Sequence, residues 1–193
     1  MGGQRKSLLT VGGSPIIERQ LAALRQVAEP IFQLASPNRT SDIDLPAVID
    51  EFPERGALGG IYTAIVRSPH DRTLVVACDM PFLDERFLEY MAAIDADLVI
   101  PRSNRGYEPL CAIYSRTCAA SIRERIIRGE LEASRLPEGV KVVEVSAETL
   151  AAYDPDGLLL VNVNTPHDYE RAKQVLEGRS KTSRDRIMDE LGP

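Results

Sequence analysis

Short β-rich runs alternate with amphipathic helical stretches along this chain, and no other feature limits its fold so strongly. The β-rich runs are Ile31 to Ala35, Ala47 to Ile49, Thr73 to Cys78, Asp97 to Ile100, Leu110 to Tyr114, Lys141 to Val145 and Leu158 to Val163. Between them the spacing predicts helices. One is opened by Ser14-Pro15, with its apolar stripe at Ile17, Leu21, Leu24 and Ala28; others cover Leu58 to Val66, Asp84 to Ala93, and Thr117 to Arg128 with Gly129 as the stop. Strands that are apolar along nearly their whole length need cover on both faces, and strands that return through helices tend to run parallel. The expected fold is therefore a three-layer α/β/α sandwich around a mostly parallel, Rossmann-like sheet. Ser36 to Pro46 reads as a polar surface loop. At 193 residues the chain suits one domain, taken here as residues 1–178 with a charged tail over 179–193.

Charge narrows the partners. The net charge of −6 is spread along the chain and provides no basic face, which argues against nucleic acid. An anionic small substrate stays open, since local cations or a metal outweigh a negative total. Cys78, Cys111 and Cys118 have no C-x-x-C pairing and read as small core residues in a reducing compartment. No apolar run approaches the roughly 18 residues that span a bilayer, and no leader is evident, so a cytoplasmic protein without a membrane partner is expected.

Chemistry in open α/β sheets gathers at the carboxyl ends of the strands. Asp79 directly follows the run Thr73 to Cys78, where a carboxylate can hold Mg²⁺ against substrate phosphates. Its bland alternative is a helix cap, but Asp84 already occupies that place. Gly56-Ala57-Leu58-Gly59-Gly60 precedes an apolar helix, and its glycines permit close backbone approach to a nucleotide, although such turns are commonly no more than turns. Asp50 lies just before it and offers an acceptor for base or ribose. Met1-Gly2-Gly3-Gln4-Arg5-Lys6 puts two glycines ahead of a lysine that can serve phosphate oxygens, though by spacing alone a terminal lysine is a solvated charge. In Asn162-Val163-Asn164-Thr165-Pro166-His167-Asp168, Thr165 reads as an N-cap, Pro166 as the first helical residue and Asp168 as the reciprocal capping-box residue. Asn162 and Asn164 are left as candidate ligand contacts. His70 and His167 read as surface residues, and no hydrolase motif is present.

In order along the chain, M-G-G-Q-R-K, G-A-L-G-G, C-D-M-P at Cys78 to Pro81, E-P-L-C-A-I-Y at Glu108 to Tyr114 and N-V-N-T-P at Asn162 to Pro166 resemble the molybdenum cofactor guanylyltransferase family. Ala57 departs from it, standing where proline is usual. The resemblance implies a fold of the nucleotide-diphospho-sugar transferase type and transfer of GMP from GTP to molybdenum-bound molybdopterin, with release of pyrophosphate. It implies Gly3 and Lys6 at the nucleotide phosphates, Asn38 and Asp50 at the guanosine, Gly56 lining the pocket, Asp79 on Mg²⁺, and Asn162 and Asn164 on the pterin side. It implies transient contact with other cofactor-biosynthesis proteins or acceptor enzymes. It further leads us to expect an apolar strand and a glycine-rich loop encoded ahead of Met1. Rival readings are a molybdopterin cytidylyltransferase, a sugar-phosphate nucleotidyltransferase and an inactive nucleotide-binding protein.

Overall fold

A computed structural model describes residues 10–11, 13–35 and 43–176. The described residues begin with a short antiparallel bridge between β1 (Thr10–Val11) and β2 (Ser14–Pro15), turned by Gly13 at φ +86°. Helix α1 (Ile16–Val27) follows, one residue later than Ser14-Pro15 suggested. Pro15 is its N-cap without a side-chain bond, because Ser14 is taken up by the pairing with Val11. Strands β3 (Gln33–Ala35) and β4 (Ala47–Ile49) pair in parallel and, among the described residues, form a two-stranded sheet. Helix α2 (Gly56–Arg67) leads to β5 (Arg72–Val76), then come α3 (Glu85–Ala93), β6 (Leu98–Ser103), β7 (Gly106–Tyr107), β8 (Cys111–Ser115), α4 (Cys118–Arg128), β9 (Val142–Val145) and α5 (Ala147–Tyr153). A further helical run covers 166–176.

The larger sheet is ordered β5-β8-β6, with β9 and the short β7 also paired to β6. β6 and β9 pair in parallel, and β5 runs the same way, since both β5 and β6 lie antiparallel to β8. The shared direction of β5, β6 and β9 matches the expectation for a parallel sheet, while β8 is inserted against it. The reason is the tight β6–β7 hairpin, which returns the chain without a crossover helix; its turn places Gly106 at φ +115°.

Alternation along the strands divides the core into two faces. Leu98, Ile100, Ala112, Tyr114 and Val75 pack with α2 and α4, whereas Val99, Cys111 and Ile113 pack with α3, α5 and Ala23 of α1. The expected three layers are present. A third cluster joins Val11 and Ile16 to Phe82, Leu158, Val163, Ala172 and Leu176. It brings the start of the described chain against the helical run 166–176, and Tyr169 Oη donates to the Thr10 carbonyl at 2.7 Å. No helix among the described residues is long and apolar enough to cross a membrane.

The run Leu158 to Val163 is not a strand. Leu158 and Leu159 donate their N–H groups to the Asp154 carboxylate, Val161 N turns back to the Leu158 carbonyl, and Val163 N goes to the Asp79 carbonyl. With its backbone groups met by a side chain and turns, the segment needs no ladder. Its continuous apolar character has another cause, because Leu158 faces one cluster while Leu159 and Leu160 face another.

Candidate functional site

The strand-end rule directs attention to the loop after β5. Val76 is its last paired residue, and Ala77 N still bonds the Leu110 carbonyl at 2.8 Å. Gln20, almost fully buried on α1, donates Nε2 to the Ala77 carbonyl at 2.7 Å. Met80 and Phe82 then sink into the core on the far side of Asp79. Asp79 is thus held between two anchors, half-buried, at the carboxyl end of the sheet. It does not cap α3. Asp84 does, accepting from Arg86 N at 3.0 Å and Phe87 N at 3.3 Å, and its bonds to the Arg86 side chain, ahead of those to backbone, hold its carboxyl below the usual carboxylate range.

Two other segments meet this loop. Val163 N donates to the Asp79 carbonyl at 2.8 Å, which sets Asn162 and Asn164 beside the C-D-M-P turn. Asn162 Oδ1 is buried and has no hydrogen-bond partner among the described residues. Asn164 is exposed, and its N–H goes to Asp168. The capping box forms as expected: Thr165 Oγ1 accepts from Asp168 N at 3.1 Å and Thr165 N donates to Asp168 Oδ2 at 2.8 Å. The Thr165 hydroxyl, followed by the backbone groups, pulls the Asp168 carboxyl down. The E-P-L segment arrives at the same end because β8 starts there. Glu108 Oε1 accepts from Ser103 Oγ at 2.7 Å and from Arg105 Nη2 at 3.0 Å, and Arg105 also donates to the Leu160 carbonyl at 2.8 Å. Three motifs far apart in sequence therefore adjoin.

Asp50 and Gly56 form a second group, on the α2 side. Asp50 follows β4 and accepts with one carboxylate oxygen from Phe52 N at 2.9 Å and Thr63 Oγ1 at 2.8 Å. Part of its role is thus to fix the turn into α2. Gly56 opens that helix at φ +58°, and Gly59 is needed for space, since a Cβ there would stand 2.4 Å from the Phe52 carbonyl oxygen. The G-A-L-G-G spacing is in this respect a packing requirement as much as a ligand signal. Gly3, Lys6 and Asn38 lie outside the described residues, as does the tail over 179–193.

Some readings need correction and some residues were missed. Cys111 and Cys118 are core thiols, Cys111 being pushed up to about 12 by burial, but Cys78 is exposed on the turn before Asp79. All three are free. Both histidines are exposed, as expected. Gln20, Arg105 and Asp154 hold the site and were not singled out. Gln20 interrupts an apolar helix face, and Asp154 precedes a Pro-Asp-Gly turn, so each left a faint local signal; Arg105 left none.

Comparison with known proteins yields a consistent set. The model for the MobA-like NTP transferase domain matches residues 1–141. A molybdenum cofactor guanylyltransferase from Desulfosudis oleivorans is 28% identical over 180 residues, covering 91% of this chain and 89% of the relative. The crystal structure of molybdopterin-guanine dinucleotide biosynthesis protein A from Archaeoglobus fulgidus superposes with a TM-score of 0.71 at 24% identity, covering 91% of this chain and 92% of that one. A Mycobacterium tuberculosis protein solved in complex with manganese has the same fold, with a TM-score of 0.58 at 19% identity over 89% of this chain and 93% of that one.

Proposed function

The chain belongs to the MobA-like NTP transferase family, and from that premise we propose that it transfers GMP from GTP to molybdenum-bound molybdopterin, forming the guanine dinucleotide cofactor and pyrophosphate. One observation carries the assignment: the Val163 N to Asp79 carbonyl bond unites the C-D-M-P and N-V-N-T-P segments at the carboxyl end of β5, where substrates of open α/β sheets bind. The relative named for this activity spans nearly the whole chain.

The donor set suits Mg²⁺. Asp79 offers a carboxylate, a hard donor held between two anchors at the strand end; Mg²⁺ favours one or two such ligands together with phosphate oxygens. The manganese complex of the fold neighbour is in keeping with a divalent ion. When bound, the ion offsets negative charge on the phosphates. The chain's own part is to bind and orient. Asp79 would hold the ion at a fixed strand end, Gly3 and Lys6 would meet the phosphates, and Asn38, Asp50 and Gly56 would receive the guanosine. Asn162 and Asn164 face the pterin. The acceptor's terminal phosphate oxygen attacks the α-phosphorus of GTP and pyrophosphate leaves, so no protein nucleophile is required and catalysis is chiefly positioning and electrostatics. We assign residues 1–178 to this transferase unit. Cysteines that form no disulfide among the described residues suit a cytoplasmic setting.

The test is an assay of purified protein with molybdenum-bound molybdopterin and Mg²⁺, offering GTP, CTP or a sugar-1-phosphate acceptor in parallel. Formation of the guanine dinucleotide with GTP is the expected result. Preference for CTP, or transfer to the sugar phosphate alone, would overturn the assignment.

A further inference from the structure

The segment bearing Asn162 belongs to no sheet, so contacts other than a ladder must fix where its amide stands. Asp154 holds the entry through Leu158 N at 2.8 Å and Leu159 N at 2.7 Å, and the Asp79 carbonyl holds the exit at Val163 N. Between these anchors, the Leu160 carbonyl accepts from Arg105 Nη2 at 2.8 Å across 55 residues of sequence. Arg105 is itself constrained. The same Nη2 donates to Glu108 Oε1 at 3.0 Å, that oxygen also takes the Ser103 hydroxyl at 2.7 Å, and Arg105 N returns to Ser103 Oγ at 3.1 Å. Although the Arg105 side chain is 60% exposed, Glu108 is only 13% exposed, so the guanidinium is gripped from its buried side. Two residues beyond Leu160 stands Asn162, whose buried Oδ1 has no hydrogen-bond partner among the described residues.

We propose that Arg105 is a positioning residue of the transferase site: locked by Glu108, it grips the Leu160 carbonyl and thereby sets the Asn162 amide opposite Asp79. The proposal rests on the guanylyltransferase assignment for its consequence in catalysis, but its geometric part does not. A guanidinium suits the task because one planar group directs N–H donors to a carboxylate and a carbonyl at once. A lysine keeps the charge and three donors on a shorter-reaching, flexible stem, so it should restore the function in part.

The test uses the full chain, ¹⁵N-labelled, with the Asn162 side-chain amide signal identified by its loss in Asn162→Ala. In Arg105→Ala that signal should shift and broaden while the unfolding midpoint stays unchanged, and in Arg105→Lys it should lie between the two. Glu108→Gln, which loosens the guanidinium without removing it, serves if Arg105→Ala does not fold. In transfer assays Arg105→Ala should lose about tenfold or more in kcat, the scale of outer-contact residues at such sites. Made in an Asn162→Ala background, it should lose less than about twofold, because residues acting through one another are non-additive. An unmoved Asn162 signal in both Arg105→Ala and Glu108→Gln overturns the proposal, and so does an equal loss in both backgrounds. Failure of the wild-type protein to transfer GMP would instead overturn the guanylyltransferase assignment, with the amide signal still deciding the role of Arg105.

Discussion

Asp154 is where the structure allows the energy of the site's scaffold to be worked out. Its side chain lies at the end of α5, 9% exposed, with both carboxylate oxygens engaged by the N–H groups of Leu158 and Leu159. Those leucines are 5% and 2% exposed, so water cannot readily replace the carboxylate. Removing an acceptor from a buried N–H costs about 1–3 kcal/mol. Asp154→Ala orphans two such donors and should cost on the order of 2–6 kcal/mol. Asp154→Asn retains one acceptor oxygen but turns an NH₂ toward the other N–H, so it should cost about 1–3 kcal/mol. Urea denaturation with a common slope would give both values. Hydrogen exchange at Leu158 and Leu159 should accelerate in step, since the cheapest escape from an unpaired buried donor is local opening. A loss below about 0.5 kcal/mol in Asp154→Ala, the range of ordinary surface substitutions, with unchanged exchange at both amides would refute this account.

Two further outcomes follow from the same geometry. Asp79→Asn should leave the fold intact, because asparagine has nearly the same size, but transfer in limiting Mg²⁺ should fall by a factor on the order of 10² or more, as when one preorganised electrostatic group is lost; near wild-type rates would show that Asp79 holds no metal. Asp84, Asp97 and Asp168 all have carboxyls lowered from 3.8, chiefly by side-chain hydrogen bonds from Arg86, Thr117 and Thr165 respectively. Each therefore contributes stability that is complete above 3.8 and lost as pH falls through the lower folded value. Thermal midpoints should drop below that point, and Asp97→Asn combined with Asp168→Asn should flatten the drop.

What was legible in the sequence was what local chemistry decides. The apolar runs at Thr73 to Cys78 and Leu110 to Tyr114 became β5 and β8 within two residues of their ends, and Gly129 stops α4 in the left-handed conformation at φ +77°. The Thr165 and Asp168 capping box formed because both halves lie within one turn. Leu158 to Val163 misled because periodicity records burial, and three consecutive buried leucines look alike whether a ladder takes their N–H groups or a carboxylate takes those of the first two. The role of Arg105 was invisible for the opposite reason: beside its local pair with Glu108, its long-range partner is a backbone carbonyl 55 residues away, and a carbonyl has no residue type to read. Asp79 and Asn162 were nameable one by one, but their adjacency depends on a single main-chain bond that no spacing encodes.

The direction of β8 links these cases. Its start pairs with the end of β5, Cys111 opposite Val76, and Leu110 reaches Ala77 one step beyond. Had the strand run parallel to β5, as continuous apolar runs suggest, its five residues would carry Glu108 to the opposite edge of the sheet, about 17 Å away at roughly 3.3 Å per residue. Arg105 would go with it and could grip neither Glu108 at this end nor the Leu160 carbonyl. The hairpin through Gly106 is thus what brings the E-P-L segment to the loop of Asp79, and the reversal that departs from the parallel pattern is the feature that assembles the site.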